Sequence, residues 1–419
     1  MIRFIHTADI HLDSPLRGLE AHQGTPVEEI RGATRRAFEN LIDLAVEEKV
    51  DFLLIAGDLY DGDWQDYNTG LFFVSRMGRL RQAGIQVILI SGNHDALSRI
   101  TRTMPLPDNV VHLSSRQPQS VVLENCGVII HGQSYATKAV RENLVSGYPQ
   151  RHPDYFNIGL LHTSLNGREG HENYAPCKVD DLRSKGYEYW ALGHVHKRET
   201  VATDPLIIFS GNIQGRHIKE TGAKGATLVS VDDGLVVDVE ERQLDVLRWE
   251  VCAVDLAECE TTDSVYNSIR RTLEDALRNA EGRTLIIRLI LAGECPVHAE
   301  LFERTEQWTE EFRGIAASLG DLWLEKVQFR TRRKVGLEEI LGADTSIAGL
   351  IESIRKAEFD ANNLLELVPE IAVLKSKLPA EIYGNDEPFL ETLPASDPDL
   401  KTEVQEMLIS MLLKHGAER

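Results

Sequence analysis

Carboxylate, imidazole and amide side chains fall in short motifs separated by long apolar stretches. Asp9 and His11 are two positions apart, and His194 and His196 repeat that spacing. Such donors together suit a divalent first-row ion such as Mn²⁺, Fe²⁺ or Zn²⁺, and the five cysteines lie outside the motifs. The residues that could form a metal centre are Asp9, His11, Asp58, Asn93, His94, Asp95, His162, His194 and His196.

The charge of such a centre indicates its substrate class. Asp9 and Asp58 bring two negative charges, so two divalent ions with a bridging hydroxide would leave a charge of about +1. That local charge would attract a phosphate although the chain carries a net charge of −21. Two ions about 3.5–4 Å apart would lower the pKa of a bridging water and clamp the attacking and leaving oxygens. The motifs therefore predict two-metal hydrolysis of a phosphoester.

Strands must position these residues. Each motif follows a short apolar run, and ligand sites in open α/β sheets lie at the carboxyl ends of strands. In an extended segment, residues two apart point to one face, which would bring Asp9 and His11 together. Gly57, Gly92 and Gly193 would allow the tight turns that follow the strands. The runs are Ile2–Thr7, Phe52–Ala56, Val87–Ser91, Ile158–Leu161 and Tyr189–Leu192.

The first 240 residues alternate strands with amphipathic helices, which predicts an α/β domain. Predicted helices cover Pro26–Glu48 and Tyr67–Ala83, and further strands cover Val128–His131, Ile207–Ser210, Ala226–Val231 and Leu235–Val239. From about Leu247 a βαβαβ unit follows, in which a helix is expected across Leu301–Ala317. We expect a phosphoesterase domain at 1–243, an α+β capping domain at 244–334 and a helical segment at 335–419.

Nearly half of the net negative charge lies in the last segment. From Val335 onward there are 7 lysines and arginines against 17 aspartates and glutamates. No window approaches the ~18 apolar residues of a membrane span. The first residues lack a basic and apolar leader, so we expect no signal peptide. The odd number of cysteines favours reduced thiols and a cytoplasmic location.

The motifs in order, D-x-H, G-D-x-x-D, G-N-H-D, a single His and G-H-x-H, resemble those of the calcineurin-like metallophosphoesterases. That resemblance implies a four-layer sandwich of two mixed sheets flanked by helices, and two divalent ions, with Mn²⁺ as the first choice. It further implies that Asp9, His11 and His196 bind one ion, that Asn93, His162 and His194 bind the other, and that Asp58 bridges both. His94 would stabilise the transition state or act as general acid, oriented by Asp95.

The opening HTADIHLDSP is similar to that of SbcD-type nucleases, and the segment from Ser210 to Gly225 is similar to the YhaO-type subgroup. This resemblance implies a homodimeric DNA nuclease that works with an SMC-like coiled-coil ATPase. Asp61 departs from some relatives, which carry an active-site histidine there. That departure leaves open the choice between exonuclease and endonuclease action.

Other polar residues have two interpretations. Arg17, Arg216 and His217 lie beside the motifs, where they would either contact substrate phosphate or be ordinary solvated side chains. His6 is expected to be a hydrogen-bonded core residue, and His131 and Ser134 are expected to be structural. Besides a DNA nuclease, the sequence leaves open a phosphoesterase acting on a small nucleotide or another phosphoester, and a non-catalytic DNA-end scaffold.

Overall fold

The structure, a computed structural model, describes residues 1–14, 32–61, 67–97, 105–165 and 174–333, with isolated positions 349, 350, 353, 354, 356, 405 and 408. Its strands are β1 (Ile2–Thr7), β2 (Phe52–Ala56), β3 (Gln86–Ile90), β4 (Val110–His112), β5 (Gln119–Leu123), β6 (Val128–Gly132), β7 (Phe156–His162), β8 (Tyr189–Gly193), β9 (Glu199–Thr203), β10 (Leu206–Phe209), β11 (Gly225–Asp232), β12 (Leu235–Gln243), β13 (Leu247–Asp255), β14 (Thr284–Cys295) and β15 (Leu322–Arg333). Its α-helices are α1 (Ala33–Glu47), α2 (Tyr67–Gln82), α3 (Val179–Arg183), α4 (Thr262–Asn279), α5 (His298–Glu303) and α6 (Thr305–Leu319).

Two mixed six-stranded sheets carry the expected metal centre. The first has the order β12-β11-β1-β2-β3-β4, in which β1 to β4 run parallel and β11 pairs with β1 antiparallel. The second has the order β5-β6-β7-β8-β10-β9, with β6, β7, β8 and β10 parallel. Parallel strands end at one edge of a sheet, so the motifs after β1, β2 and β3 meet there, as do those after β7 and β8.

The alternation of side chains along each strand divides the core into layers. Phe4 lies in a core shared by the two sheets, where its ring stacks on Phe52 with centroids 4.9 Å apart and meets Tyr189 edge-on. Its neighbour Ile5 faces the opposite side and packs with Phe38 of α1. On the outer face of the second sheet, residues such as Trp190 pack in a third core. These layers confirm the predicted four-layer sandwich.

A third sheet, in the order β13-β14-β15, follows. The chain divides into two compact units, the first of which comprises Met1–Cys252, Leu273–Arg288 and Ala316–Lys326. The second comprises Ala253–Thr272, Leu289–Ile315 and the described residues from Val327 onward. Inside the second unit Tyr266, Trp308, Phe312 and Phe329 form a chain of ring contacts. The predicted boundaries at 243/244 and 334/335 stay predictions.

Most predicted elements occur within two residues of their predicted bounds, and two differences stand out. The helix expected across Leu301–Ala317 is two helices, α5 and α6, which are separated at Arg304. Strands β4, β5 and β9 were not predicted, because they are short and mostly half-exposed. The helix at Pro26–Glu48 is described only from Ala33, and Arg17 and nearly all of 335–419 lie outside the described residues.

Candidate metal centre

The expected ligands lie in tight turns just beyond the strand ends. Asp9, His11 and Asp58 have φ values of 51°, 45° and 53°, in the left-handed region. Each such residue costs about 1–3 kcal/mol unless its surroundings hold it there, and such strain concentrates at functional sites. The expectation that Asp9 and His11 share an extended segment was therefore wrong, although the two side chains do converge.

Backbone hydrogen bonds between two of these turns offset the strain. The amide of Asp9 donates to the carbonyl of Gly57 at 3.0 Å, and the amide of His11 donates to that of Asp58 at 3.0 Å. Leu12 continues the pattern as an isolated parallel bridge to Tyr60. The turns after β1 and β2 thus form one unit that fixes Asp9, His11 and Asp58 together.

Two positions in these turns require glycine, because other atoms of the protein lie where a Cβ atom would be. A Cβ on Gly193 would lie 2.0 Å from the carbonyl oxygen of Ala56, and one on Gly92 would lie 2.3 Å from Oδ1 of Asp58. Real Cβ atoms do not come so near to a backbone or a ligand oxygen. Glycine at both positions lets the turns after β8 and β3 close around Asp58.

The first group of donors consists of Asp9, His11 and His196, whose candidate ligand atoms all lie within 4.8 Å of one another. The Nε2 atoms of His11 and His196 are 3.3 Å apart, and Nε2 of His196 is 3.9 Å from Oδ1 of Asp9. Burial, with the nearby charge of Arg216, lowers the pKa of His11 to about 3. Histidine binds a metal through the lone pair of a neutral imidazole, so the lowered pKa of His11 suits a ligand.

The second group contains Asn93, His162 and His194. Oδ1 of Asn93 lies 2.9 Å from Nε2 of His162 and 3.3 Å from Nδ1 of His194. Asp58 lies between the groups, because its Oδ2 is 3.4 Å from Nε2 of His162 and 4.0 Å from Nε2 of His11. Asp58 is thus placed as a bridging ligand would be.

Hydrogen bonds behind two histidines select the tautomer that a metal requires. Nδ1 of His162 is 2.9 Å from the carbonyl oxygen of Ala56, to which it donates. Nδ1 of His196 donates to Oε1 of Glu220 at 2.6 Å. Both bonds leave Nε2 as the metal-facing atom. Asp58 forms a compact group of candidate ligands with Asp9 and His162, and this group shares Asp9 with the group of Asp9, His11 and His196. Oxygen and imidazole donors in two overlapping groups fit two divalent ions.

His94 lies beside both groups and is partly open to solvent, with 34% of its side chain exposed. Its amide donates to Oδ1 of Asp58 at 2.9 Å, and its Nδ1 is 2.8 Å from Oδ1 of Asp61. Burial would lower the pKa of His94, but the hydrogen bond to Asp61 and the charge of Asp58 outweigh it and raise that pKa. A protonated ring at this position could donate a proton to a leaving oxygen.

The structure places Asp61, rather than Asp95, against the His94 ring. Asp95 is buried and accepts backbone amides from Leu59 at 3.1 Å, Tyr60 at 2.8 Å and Gly92 at 3.1 Å. It therefore holds the turns after β2 and β3 together and does not orient the neighbouring imidazole. Adjacency in the sequence could not reveal this, because Asp95 begins a short 3₁₀ turn and its side chain accepts backbone amides of two other turns.

Arg216 and His217 are near the centre, but their contacts are with protein groups. Nη1 of Arg216 lies 3.7 Å from Oδ2 of Asp61, and its Nη2 lies 3.3 Å from Oε1 of Glu220. Only 12% of the Arg216 side chain is exposed. Nε2 of His217 is 3.5 Å from Oε1 of Glu220. Arg216 thus bridges two carboxylates, which is the geometry of a structural ion pair.

The residues expected to be structural are so. His6 is fully buried, with Nδ1 3.0 Å from the Tyr189 hydroxyl and Nε2 3.1 Å from the Leu192 carbonyl oxygen. His131 lies 2.7 Å from the Ser120 hydroxyl, and the Ser134 hydroxyl donates to the Leu113 carbonyl. These side chains pair inside the sandwich.

Sequence reasoning missed the contribution of two carboxylates. The sequence distinguishes Asp61 only as a departure from some relatives, and Glu220 only as one residue of the segment from Ser210 to Gly225. Asp61 is 33 residues before His94 and Glu220 is 24 residues after His196. No helical or strand periodicity links positions so far apart, so only the fold brings each carboxylate to its histidine.

Comparison with known proteins agrees with this geometry. The family model "Calcineurin-like phosphoesterase" matches residues 2–198, and "Metallophosphoesterase YhaO, middle domain" matches residues 249–332. The uncharacterized metallophosphoesterase YhaO of Bacillus subtilis (strain 168) is 36% identical over 375 residues, which cover 87% of this chain and 89% of that protein.

More distant matches are also found. The DNA double-strand break repair protein Mre11 of Sulfurisphaera tokodaii is 26% identical over 308 residues, 70% of this chain and 74% of that protein. The crystal structure of a dimetal phosphatase from Danio rerio aligns with a TM-score of 0.35 and 12% identity, covering 55% of this chain and 93% of that one.

Proposed function

Because the chain belongs to the calcineurin-like metallophosphoesterase family and is similar to YhaO over most of its length, we propose that it is a two-metal DNA phosphodiesterase. Its action would be that of an exonuclease, with endonuclease action as the second candidate. The observation that carries this proposal is the overlap of two donor groups, one of Asp9, His11 and His196 and one of Asp9, Asp58 and His162, with a partly exposed His94 beside them.

The side chains of the centre would have separate roles in metal binding and in catalysis. Asp9, His11 and His196 would hold one ion, Asn93, His162 and His194 the other, and Asp58 would contact both. Bound there, two divalent ions would activate water and stabilise the attacking and leaving oxygens of an in-line displacement. His94, held by Asp61, would donate a proton to the leaving oxygen or stabilise charge on the phosphate. Asp95 would support the site by holding the turns after β2 and β3.

DNA is favoured as the substrate by the similarity to Mre11, which covers about three-quarters of that repair protein. A phosphoesterase acting on a small nucleotide would need no region resembling the YhaO middle domain at 249–332. A non-catalytic scaffold would need no imidazole poised as His94 is. We propose that Arg216 and His217, which contact carboxylates of the protein, support the centre rather than bind the phosphate.

Further parts of the proposal follow from the family resemblance. These are Mn²⁺ as the physiological ion, a homodimer, an SMC-like ATPase partner and a cytoplasmic location. We further propose domains at 1–243, 244–334 and 335–419, the last a partner-binding region. In the described residues no helix is long and apolar enough to cross a bilayer.

The test is cleavage of end-labelled linear duplex DNA by the purified full chain with Mn²⁺. We expect cleavage by the unchanged protein and by His152→Gln, a control histidine that is half-exposed and contacts no metal-centre residue. We expect none from Asp58→Asn or His94→Gln. Hydrolysis of a chromogenic phosphodiester without DNA cleavage would reject DNA in favour of a small substrate. Failure to hydrolyse either would favour the scaffold.

A further inference from the structure

A buried carboxylate outside the expected ligand set lies directly behind one ligand. Glu220 is 5% exposed and lies in the loop between β10 and β11. Its Oε1 accepts the Nδ1–H of His196 at 2.6 Å, while Oε2 accepts the backbone amide of Arg216 at 2.7 Å and the side-chain amide of Asn212 at 3.0 Å. Each carboxylate oxygen has a defined donor, so the carboxylate can take only one orientation.

This arrangement constrains the imidazole of His196 in two ways. The bond at Nδ1 fixes the proton there, and so keeps the lone pair on Nε2, the atom 3.3 Å from Nε2 of His11. It also fixes the rotation of the ring, since a swing about the Cβ–Cγ bond would break a short charge-assisted bond. Partners of this kind typically contribute 10–100-fold to metal affinity.

The loop that carries Glu220 is itself fastened to the first residues of β13. The side-chain amide of Gln214 donates to the carbonyl of Leu247 at 2.8 Å, and its oxygen accepts the amide of Val246 at 3.0 Å. The indole N–H of Trp249 donates to the carbonyl of Gly215 at 3.0 Å, and the amide of Gly222 donates to the carbonyl of Trp249 at 3.0 Å. Trp249 is thus bonded to the loop on both sides of Glu220.

We propose that Glu220 is a positioning residue for His196, and that Trp249 and Gln214 hold its loop so that one metal position depends on the start of β13. The proposal rests on the ligand role proposed for His196. It adds to that role a connection from the metal centre to the stretch where the match to the YhaO middle domain begins, at residue 249. Movement of the first residues of β13 would change the fit of one ion.

The alternative is that Glu220 only neutralises Arg216 and stabilises the fold. Glu188 provides a matched control, because it is another partly buried glutamate that pairs with an arginine, Arg151 at 2.7 Å, and accepts a backbone amide from Asn157. It contacts no residue of the centre. A purely structural effect of removing a charge would appear in Glu188→Gln and Glu220→Gln alike.

The experiment titrates Mn²⁺ into metal-free full-length protein by isothermal calorimetry, with melting temperatures measured in EDTA. The variants are Glu220→Gln, Trp249→Phe, Glu188→Gln and His196→Asn. Glu220 accepts hydrogen bonds on both oxygens, whereas the side chain in Glu220→Gln has one acceptor oxygen and one donor nitrogen. That nitrogen would face a donor, either the ring of His196 or the amides of Arg216 and Asn212. We therefore expect a 10–100-fold weaker affinity at one of two sites in Glu220→Gln, and a few-fold loss in Trp249→Phe.

We expect Glu188→Gln to bind Mn²⁺ as the unchanged protein does, and His196→Asn to weaken the same site as Glu220→Gln. Unchanged affinity in Glu220→Gln, with a lowered melting temperature in EDTA, would overturn the positioning role while leaving the ligand role of His196 intact. Unchanged affinity in His196→Asn would instead overturn the ligand role. Unchanged affinity in Trp249→Phe alone would remove β13 from the proposal.

Discussion

The two halves of the metal centre orient their histidines by different means. On one side, His196 donates to the carboxylate of Glu220. On the other, His162 donates to the backbone carbonyl of Ala56, inside β2. A carbonyl of a central strand cannot be removed by substitution and moves only with the sheet, whereas a side-chain carboxylate on a loop can move. We therefore name the half that holds His162 the rigid half and the half that holds His196 the adjustable half, because the position of Glu220 depends on its loop and on the start of β13.

One histidine in each half also differs in pKa. Burial would lower the pKa of His162, but the adjacent carboxylates, Asp58 foremost, raise it to about 9. His11 is equally buried, but its pKa is lowered to about 3 by burial and by the charge of Arg216. Without metal, His162 thus carries a proton at neutral pH and His11 does not. An ion that binds at His162 must therefore displace a proton, whereas one that binds at His11 need not.

The largest expected effect comes from removing what the halves share. Asp58→Asn leaves both groups without the oxygen that lies between Nε2 of His162 and Nε2 of His11. We expect phosphodiester hydrolysis to fall to background and bound Mn²⁺ to fall below two per chain. Plasma emission spectrometry after gel filtration measures the metal. Two retained ions would show that Asp58 does not bridge.

The next largest effect comes from His94, which belongs to neither half. His94→Gln removes the imidazole but keeps the backbone amide that donates to Asp58. We expect kcat for a chromogenic phosphodiester to fall by about 10²–10⁴ while Mn²⁺ content stays at that of the unchanged protein, because general acid catalysis contributes in that range. Loss of metal in this variant would make His94 a ligand instead.

A third prediction concerns the proton on the rigid half. A metal requires neutral imidazole, so binding at pH 7 must displace the proton whose pKa is about 9 at His162. We expect Mn²⁺ affinity to rise with pH up to about 9. The heat of binding at pH 7 should depend on the ionisation enthalpy of the buffer. The slope of that dependence should correspond to the release of at least one proton per chain. Heats that do not depend on the buffer would contradict a protonated His162.

A buried histidine outside the centre gives the smallest expected effect. His298 contacts the Thr331 hydroxyl at 3.0 Å, and burial, with the charge of Arg333, lowers its pKa to about 4. The unfolded chain binds this proton near pH 6.5 and the folded chain only near pH 4, so this contribution to stability is present above 6.5 and lost as pH falls towards 4. Between pH 4 and pH 6.5 the unfolding free energy should rise with pH less steeply in His298→Gln than in the unchanged protein. The difference in slope should be up to about 1.4 kcal/mol per pH unit. Equal slopes in urea titrations of both proteins would contradict the lowered pKa.

The sequence predicted that the expected ligands lie close together, because they follow strands and parallel strands end at one edge of a sheet. Asn93 and His162 illustrate this, since they are 69 residues apart in the sequence but Oδ1 of Asn93 lies 2.9 Å from Nε2 of His162. The sequence could not show which carboxylate supports which histidine. Asp95 is adjacent to His94 yet binds backbone amides, whereas Asp61 reaches the ring across a turn. Such choices depend on side-chain direction within irregular turns, where no period applies.

The positions of bound ions test the proposed two-metal centre most directly. Crystals of the full chain soaked in MnCl₂ would be measured for anomalous scattering at the manganese edge. We predict two peaks, one contacted by Asp9, His11 and His196 and one by Asn93, His162 and His194, with Asp58 touching both. A single peak, or a second one away from Asn93 and His162, would contradict the two-metal centre.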